Sequence, residues 1–214
     1  MTPRRRDPAR GPTTRQRILE AARELFARRG VERVTMRDLA HTIRLTPAAI
    51  YLYFRDKAAL IRELVENDFR TFSGRLGRLA RIADPVERLQ ELGHAYVEFG
   101  ISYPNHYRLL FMTPHPPDAA AVVGAAVAPG QGRPEEDAYA LLMATVQECI
   151  DTGRFRPEYQ NAAQVAQMIW ACVHGVVALH IVMGDDPWLT WQSPTRTVAM
   201  LIETLERGLS VTPP

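Results

Sequence analysis

Apolar residues along this chain recur at intervals of three and four positions, the spacing that places them on one face of a helix. The first such segment carries a single apolar stripe, formed by Ile18, Ala22, Leu25 and Phe26. Thr13 and Gln16 have the spacing of a capping box just before it, and Gly30 lies where a C-terminal cap is expected. The pattern therefore predicts a first helix between Thr13 and Gly30.

Two short helices joined by a tight turn follow. Thr35 with Asp38 forms a second cap-like pair, which opens a helix that ends at about Thr42. Thr46 then caps a third helix that runs through Tyr53. These are the dimensions of a helix-turn-helix, although the spacing alone is weak evidence because many helical proteins contain such corners.

The remaining periodic segments are also helical, and none alternates in the manner of a strand. The predicted helices run from Lys57 to about Ile82, Pro85 to about Tyr103, Asn105 to Met112, Pro134 to Thr152, Ala162 to Met183 and Thr195 to Leu209. Residues 113–133 are rich in proline, glycine and alanine and are expected to form a loop. The fold class that follows is all-α, with helices packed on helices around the core.

Charge is divided unevenly along the chain. Residues 1–82 hold 19 Lys and Arg against 9 Asp and Glu, a net charge of +10, whereas residues 83–214 hold 7 against 15, a net charge of −8. Arg-rich helices can simply be solvated, but this concentration favours contact between the N-terminal part and nucleic acid. Residues 1–12 lack periodicity and are interpreted as a flexible basic arm, with or without a role on DNA.

A longer stretch makes the helix-turn-helix specific. Residues 14–61 have the sequence TRQRILEAARELFARRGVERVTMRDLAHTIRLTPAAIYLYFRDKAALI, and they closely resemble the DNA-binding domain of the TetR family of transcriptional regulators. The resemblance implies a DNA-binding domain at 13–60 and a helical ligand-binding and dimerisation domain at 61–214.

Two later fragments resemble the WHG-type C-terminal domain of some TetR regulators. They are YPNHYRLLFM at 103–112 and WACVHGVVAL at 170–179, and the resemblance is carried by Trp170, His174 and Gly175. A glycine inside a helix costs about 1 kcal/mol relative to alanine and usually allows another helix to approach. The resemblance implies that helices 162–183 and 195–209 pair with a second subunit in a homodimer, with an ordinary intramolecular core as the alternative.

The function implied by the resemblance is that of a repressor. The dimer is expected to bind a palindromic operator in double-stranded DNA and to leave it when a small ligand of unknown identity enters the C-terminal domain. The alternative is a DNA-binding regulator without a small-molecule effector, either architectural or controlled by another protein. A cytoplasmic location and no cofactor are expected.

The residues expected on DNA lie in and around the second and third helices: Thr35, Arg37, Arg44, Thr46, Pro47, Ala48, Ala49, Tyr51, Tyr53 and Lys57. Short Ala48 and Ala49 let the helix approach the floor of the major groove, where their methyl groups can touch thymine methyls. The resemblance implies phosphate contacts for Tyr51, Tyr53 and Lys57. Partial burial of Tyr51 against the first helix and simple exposure of Tyr53 are the alternatives.

Arg44 departs from the family pattern, which commonly has glycine at this point of the turn. If the position needs a positive φ, arginine costs on the order of 1 kcal/mol there. Either the turn differs in this chain, or a phosphate contact of Arg44 offsets the strain.

Aromatic and sulfur-containing side chains on inward helix faces are the candidates for a ligand pocket: Tyr96, Phe99, Tyr103, Tyr107, Phe111, Met143, Met168, Trp170 and His174. Most such side chains belong to a core, so the pattern predicts a site for a small hydrophobic or aromatic ligand without fixing which of them line it. His174 and His180 lie on opposite sides of one helix, which favours core histidines over metal ligands. The sequence shows no nucleophile–base pattern of the kind that indicates an enzyme, and no metal site is expected.

Two further features bear on the environment of the chain. Cys149 and Cys172 lie in apolar helical segments and are interpreted as buried free thiols. The longest apolar segment, Val165 to Met183, is interrupted by Gln167 and two histidines. No membrane-spanning helix and no contact with a membrane are therefore expected.

Overall fold

The computed structural model describes residues 12–113, 134 and 137–211. Its helices are α1 (Thr14–Arg29), α2 (Met36–Thr42), α3 (Pro47–Tyr51), α4 (Lys57–Leu76), α5 (Pro85–Ser102), α6 (Pro104–Tyr107), α7 (Ala138–Asp151), α8 (Ala162–Met183) and α9 (Pro194–Leu209). Across the described ranges the extended pairing is limited to one isolated bridge between Phe155 and Ser210. The predicted all-α fold is confirmed. The predicted arm, except Pro12, and the predicted loop, except Thr113, lie outside the described residues.

Side-chain caps fix the starts of the N-terminal helices where the sequence predicts them. Thr13 and Gln16 form a complete capping box at α1, and Thr35 with Asp38 forms another at α2. Hydrogen bonds from Thr35 hold the pKa of the Asp38 carboxyl below its usual value. Thr46 caps α3 by accepting a bond from the amide of Ala49.

Three predicted helix boundaries, two at C-terminal ends and one at an N-terminal start, are wrong. The third helix ends at Tyr51 rather than Tyr53, because the amide of Tyr53 bonds the carbonyl of Ile50 in a tighter three-residue turn. The fourth helix ends at Leu76 rather than near Ile82, and a 3-10 helix occupies Gly77–Arg81. The seventh begins at Ala138 rather than Pro134, because Asp137 caps it.

The predicted helix from Asn105 to Met112 is divided into two kinds of helix. Pro104–Tyr107 is α-helical, whereas Arg108–Met112 forms a π-helical turn, which we call the π turn. Such turns are rare and redirect the side chains that follow them. Here Leu109 packs into the N-terminal core, while Tyr107 and Phe111 pack into the C-terminal core.

Helix α4 also belongs to both cores. Its first half contributes Leu60 and Leu64 to the cluster formed with α1, α2 and α3, and its second half contributes Phe72 and Leu76 to the cluster formed with α5, α7 and α8. The two halves of the molecule are therefore joined by a continuous helix and by the π turn.

A buried ion pair lies at this joint. Asp68 of α4 is 1% exposed and accepts from Arg23 of α1, with Arg23 Nη2 2.6 Å from Asp68 Oδ1 and Arg23 Nε 3.0 Å from Oδ2. His106 Nδ1 lies 3.2 Å from the same Oδ1 atom. One carboxylate thus faces groups from α1 and α6, so a movement of either helix changes its surroundings.

Helix α5 is the centre of the C-terminal half and packs against α7, α8 and α9. Gly100 is required where α5 meets α8, because a Cβ there would lie 2.3 Å from Cγ1 of Val177. Within the described ranges one helix, α8, is long and apolar enough to cross a membrane by length and composition alone, a test that core helices also pass. It packs on three helices as core helices do, yet only 28% of its most apolar window is buried.

Candidate DNA-binding surface and ligand cavity

The turn between α2 and α3 has the geometry of a Schellman cap. The amide of Leu45 donates to the carbonyl of Ala40 at 2.9 Å, and the amide of Arg44 donates to the carbonyl of His41 at 3.2 Å. Arg44 has a φ of 57°, and it is the only non-glycine residue with positive φ in the described part of the chain. The turn is therefore of the kind that glycine usually closes, and Arg44 adopts the strained conformation that the sequence raised as one possibility.

Helix α3 presents one face outward, because Ile50 on its other face is fully buried. The predicted DNA residues on and beside it are exposed or half-buried: Thr46, Pro47, Ala48, Ala49, Tyr51 and Tyr53. Tyr51 is 51% exposed, which is compatible with a phosphate contact and with partial burial against α1. Thr35, Arg37 and Arg44 lie on the neighbouring α2 and its turns, also exposed.

The end of α3 is anchored to α1 and α4 by Arg15. The Arg15 guanidinium donates to the carbonyl of Tyr53 at 3.1 Å, lies over the ring of Phe54 at 4.6 Å and pairs with Glu63. This pairing, chiefly the hydrogen bond from Arg15, lowers the pKa of the Glu63 carboxyl. Lys57 is the first residue of α4, beside the free amides of its first turn. Arg15 thus fixes the backbone at Tyr53 against α1 and α4.

Leu52 is a surface residue that the sequence analysis missed. Its side chain is 84% exposed, the highest value among the large apolar side chains of the described ranges. The signal was available, because Leu52 follows Ala48 by four positions and shares its face of the helix.

The C-terminal half contains an apolar cavity of about 110 Å³ between α4, α5, α7 and α8. Its lining consists of Phe69, Phe72, Leu76, Leu89, Leu92, Gly93, Tyr96, Phe111, Ala138, Tyr139, Leu142, Ile169, Trp170 and Val173. None of these described residues carries a charge. A charged group buried here would lose its hydration without gaining a partner, so the cavity suits an uncharged occupant.

Three predicted ligand residues, Tyr96, Phe111 and Trp170, line this cavity. Six others do not: Phe99, Tyr103, Tyr107, Met143, Met168 and His174. Phe99 and Tyr107 are fully buried in the core, and Met168 is exposed on α8. Tyr103 is held by Arg75, whose Nη2 lies 2.6 Å from the hydroxyl, and Met143 packs on the separate cluster around Cys149. Burial raises the pKa of the Cys149 thiol in this cluster to about 12.

A buried polar network lies behind the cavity wall. Trp170 Nε1 donates to the hydroxyl of Tyr96 at 2.9 Å, which is 2.9 Å from the hydroxyl of Tyr107. The Tyr107 hydroxyl lies 2.6 Å from Nδ1 of His174. Burial lowers the pKa of His174 and raises the pKa of both tyrosines, so all three are neutral near pH 7. The predicted core role of His174 agrees with this geometry.

Most of the cavity wall comes from residues that the sequence analysis did not select. Phe69 and Phe72 of α4 and Tyr139 of α7 were passed over, because their helical spacing is that of any packed face. Across the described ranges, no group of three His, Cys, Asp or Glu residues is placed to hold a metal ion.

Two family models match consecutive parts of the chain. The model described as bacterial regulatory proteins, tetR family, matches residues 18–64, and the model described as tetracyclin repressor-like, C-terminal domain, matches residues 89–207. The second match alone covers more than half of the chain.

Curated relatives match over less than half of this chain. The probable HTH-type transcriptional regulator ArpR of Pseudomonas putida is 36% identical over 89 residues, which is 42% of this chain and 40% of ArpR. The HTH-type transcriptional regulator TtgR, also of Pseudomonas putida, is 35% identical over 89 residues, with the same coverage. The matched segment thus spans about two fifths of each relative.

Solved structures match over nearly the whole length. A Rhodococcus protein of unknown function is 25% identical with a TM-score of 0.71, covering 96% of this chain and all of its own. FadR of Bacillus subtilis, solved with stearoyl-CoA, is 18% identical with a TM-score of 0.71, covering 90% of this chain and 97% of its own. KstR2 of Mycobacterium tuberculosis, titled a ketosteroid transcriptional regulator, is 19% identical with a TM-score of 0.68, covering 95% and 98%. At this identity FadR and KstR2 support the fold alone.

Proposed function

Because this chain belongs to the TetR family of DNA-binding bacterial transcriptional regulators, we propose that it is a repressor released from its operator by a small uncharged ligand. The observation that carries the proposal is the π turn. Phe111 lines the cavity, and Leu109, two positions earlier, packs in the core of the helix-turn-helix. An occupant that displaces Phe111 would therefore also shift Leu109, which packs in the same cluster as Ile50 of α3. The matching family and the relatives are regulators and not enzymes.

The DNA-binding surface is proposed to consist of the ten residues predicted from the sequence. Exposed side chains of α2 and α3 would enter the major groove, while Tyr51, Tyr53 and Lys57 would contact phosphates. The net charge of +10 over residues 1–82 supports attraction to DNA.

The cavity supports ligand control over the alternative of a regulator without an effector. A dry cavity of roughly 150 Å³ holds benzene, so this smaller cavity accepts at most about one aromatic ring. Six of its lining residues are aromatic and offer edge and face contacts to such a ring: Phe69, Phe72, Tyr96, Phe111, Tyr139 and Trp170. Long-chain acyl-CoA, the ligand in the FadR structure, would require the cavity to widen.

A homodimer through α8 and α9 is proposed as the DNA-binding form. Val182 of α8 and Met200 of α9 are 61% and 62% exposed in the single chain. Among the described residues outside its own helix backbone, a Cβ on Gly175 would meet no atom within 4 Å, unlike one on Gly100. The mid-helix glycine therefore leaves room for something outside the chain, and a partner helix fits that role. Two N-terminal halves would then address the two halves of a palindrome.

DNA binding is tested first. Fluorescence anisotropy near physiological salt would compare DNA from upstream of the gene with a scrambled duplex. Binding at least about 10³-fold tighter to the upstream DNA is expected, and the double variant Tyr53→Ala, Lys57→Ala should lose it. Equal binding to both duplexes would call for selection from random DNA, and failure of that selection would contradict operator recognition.

Ligand control is tested on the same complex. Benzene and phenol serve as uncharged aromatic probes, with stearoyl-CoA as the comparison. Benzene or phenol should release the wild-type protein from DNA but not Ala138→Leu, whose larger side chain fills the cavity. Both proteins should bind DNA equally without a probe. A probe that binds tightly and leaves DNA affinity unchanged would exclude induction through this site.

A further inference from the structure

Leu52 lies at the outermost point of α3. Residues of a helix are rotated by about 100° from one to the next, so Ala48 and Leu52 each lie about 200° from Ile50 in opposite senses. Ile50 is fully buried, and both residues are thus within roughly 20° of the direction opposite the core. The helical dihedrals of Leu52, φ −70° and ψ −23°, keep it in register with α3.

The surroundings of Leu52 are those of a DNA-binding face rather than of a protein interface. The exposed Arg44 lies in the turn before α3, and Lys57 opens α4 just after it. Across residues 1–82 basic residues outnumber acidic ones by 19 to 9. The charge complements a polyanion, so the face opposite Ile50 is the one that enters the groove.

An exposed leucine at that point has one matching group on the groove floor. Its side chain cannot hydrogen-bond a base, and the C5-methyl of thymine is the apolar group that base pairs present in the major groove. The short Ala48 on the same face lets the longer Leu52 reach furthest. Tyr51 is rotated about 100° from Ile50 and lies on the flank, nearer the phosphates.

We propose that Leu52 is a specificity-determining residue that recognises a thymine in each operator half-site by packing on its C5-methyl. The inference rests on the DNA-binding function and is independent of the ligand and of the cavity. The competing arrangement, in which Leu52 packs on the sugar–phosphate backbone, would give affinity without preference for thymine.

The experiment removes one methyl group at a time. An operator is first selected from random DNA with the wild-type protein, and each of its thymines is then replaced by uracil, which pairs identically but lacks the methyl. Dissociation constants are measured by anisotropy at one salt concentration. Replacement of one particular thymine per half-site by uracil should weaken wild-type binding about fourfold. This factor corresponds to the roughly 0.8 kcal/mol of a buried methyl-sized group.

The variant Leu52→Ala should bind the thymine and uracil duplexes equally at that position and respond as wild type at all others. Leu189→Ala, another exposed leucine, lies in the segment between α8 and α9 and should keep the wild-type response. Thermal unfolding checks that both variants fold. The proposal is overturned if Leu52→Ala keeps the fourfold response, or if it weakens binding to operator and scrambled DNA alike. If selection enriches no sequence, operator recognition itself fails and the proposal fails with it.

Discussion

The two halves of this molecule differ in how their interiors are filled. The N-terminal half closes around one continuous cluster, in which Ile18, Ala22 and Leu39 are fully buried. The C-terminal half is larger but leaves about 110 Å³ unfilled between four helices. A filled core holds the DNA-binding surface in one shape, whereas a core with a gap can change shape when the gap is occupied. We therefore expect the proposed ligand response to originate in the C-terminal half and the N-terminal half to stay rigid.

The buried ion pair between Arg23 and Asp68 links the two halves and can be removed by one substitution. Asp68→Asn removes the buried charge partner of Arg23 and leaves it only the exposed Glu20, and we expect a loss of about 3–5 kcal/mol in the free energy of unfolding. Urea unfolding followed by circular dichroism measures it. The matched control is Glu63→Gln, which removes a partly exposed pair with Arg15 and should cost less than about 1 kcal/mol. Equal losses in the two variants would contradict a special role for the buried pair.

A matched pair of enlargements tests the packing difference itself. Ala22→Leu forces extra volume into the filled core and should cost about 1–3 kcal/mol. Ala138→Leu adds the same volume beside the cavity and should leave the free energy of unfolding within about 0.5 kcal/mol of wild type or raise it. The two variants are compared by their urea unfolding midpoints, which report stability when the m-values are unchanged. A large loss in Ala138→Leu would mean that the cavity is not free space.

Arg44 is a strained residue in the N-terminal half and lies in the turn before α3. Arg44→Gly should raise the free energy of unfolding by about 1 kcal/mol through relief of the positive φ. Arg44→Ala keeps the strain but removes the charge. If Arg44 contacts a phosphate, both variants should lower DNA affinity and reduce the salt slope by about one. Equal stability of the two variants would show that the turn holds no strain.

His174 in the C-terminal half should make the stability of the protein weakly dependent on pH. Burial lowers the pKa of His174, so the folded state binds its proton less readily than the unfolded state does. The free energy of unfolding is therefore highest above the pKa of about 6.5 that His174 has in the unfolded state. It declines as the pH falls from there through the lower pKa of His174 in the folded state. The thermal midpoint of the wild type should fall more between pH 7.5 and 5 than that of His174→Gln. Parallel curves would exclude His174 as a contributor.

The N-terminal half was predictable because its signals are local. Thr13, Thr35 and Thr46 each cap a helix through an amide three residues away, so sequence spacing is enough to find the helix starts. The wrong helix ends, at Tyr53 and Ile82, arise where a tighter turn competes with the α-helix over one or two hydrogen bonds. Periodicity does not distinguish these two turns.

The cavity was not predictable in the same way. It is built from Phe69, Tyr96, Phe111, Ala138 and Trp170, among others, which come from distant parts of the sequence. Whether such side chains meet or leave a gap depends on how far apart the helices lie, and spacing within one helix carries no information on that distance. The sequence therefore supplied the kind of lining but only three of its members.

The position of Leu109 limits which pieces of such regulators can be exchanged. It packs with α1 and α4 in the N-terminal core although the chain reaches it only after α5 and α6. A chimera that joins the first 60 or so residues of one regulator to the remainder of another would take Leu109 from the second parent, against a core shaped in the first. The exchangeable unit is discontinuous, and recombination that preserves folding must carry the π turn along with the DNA-binding helices.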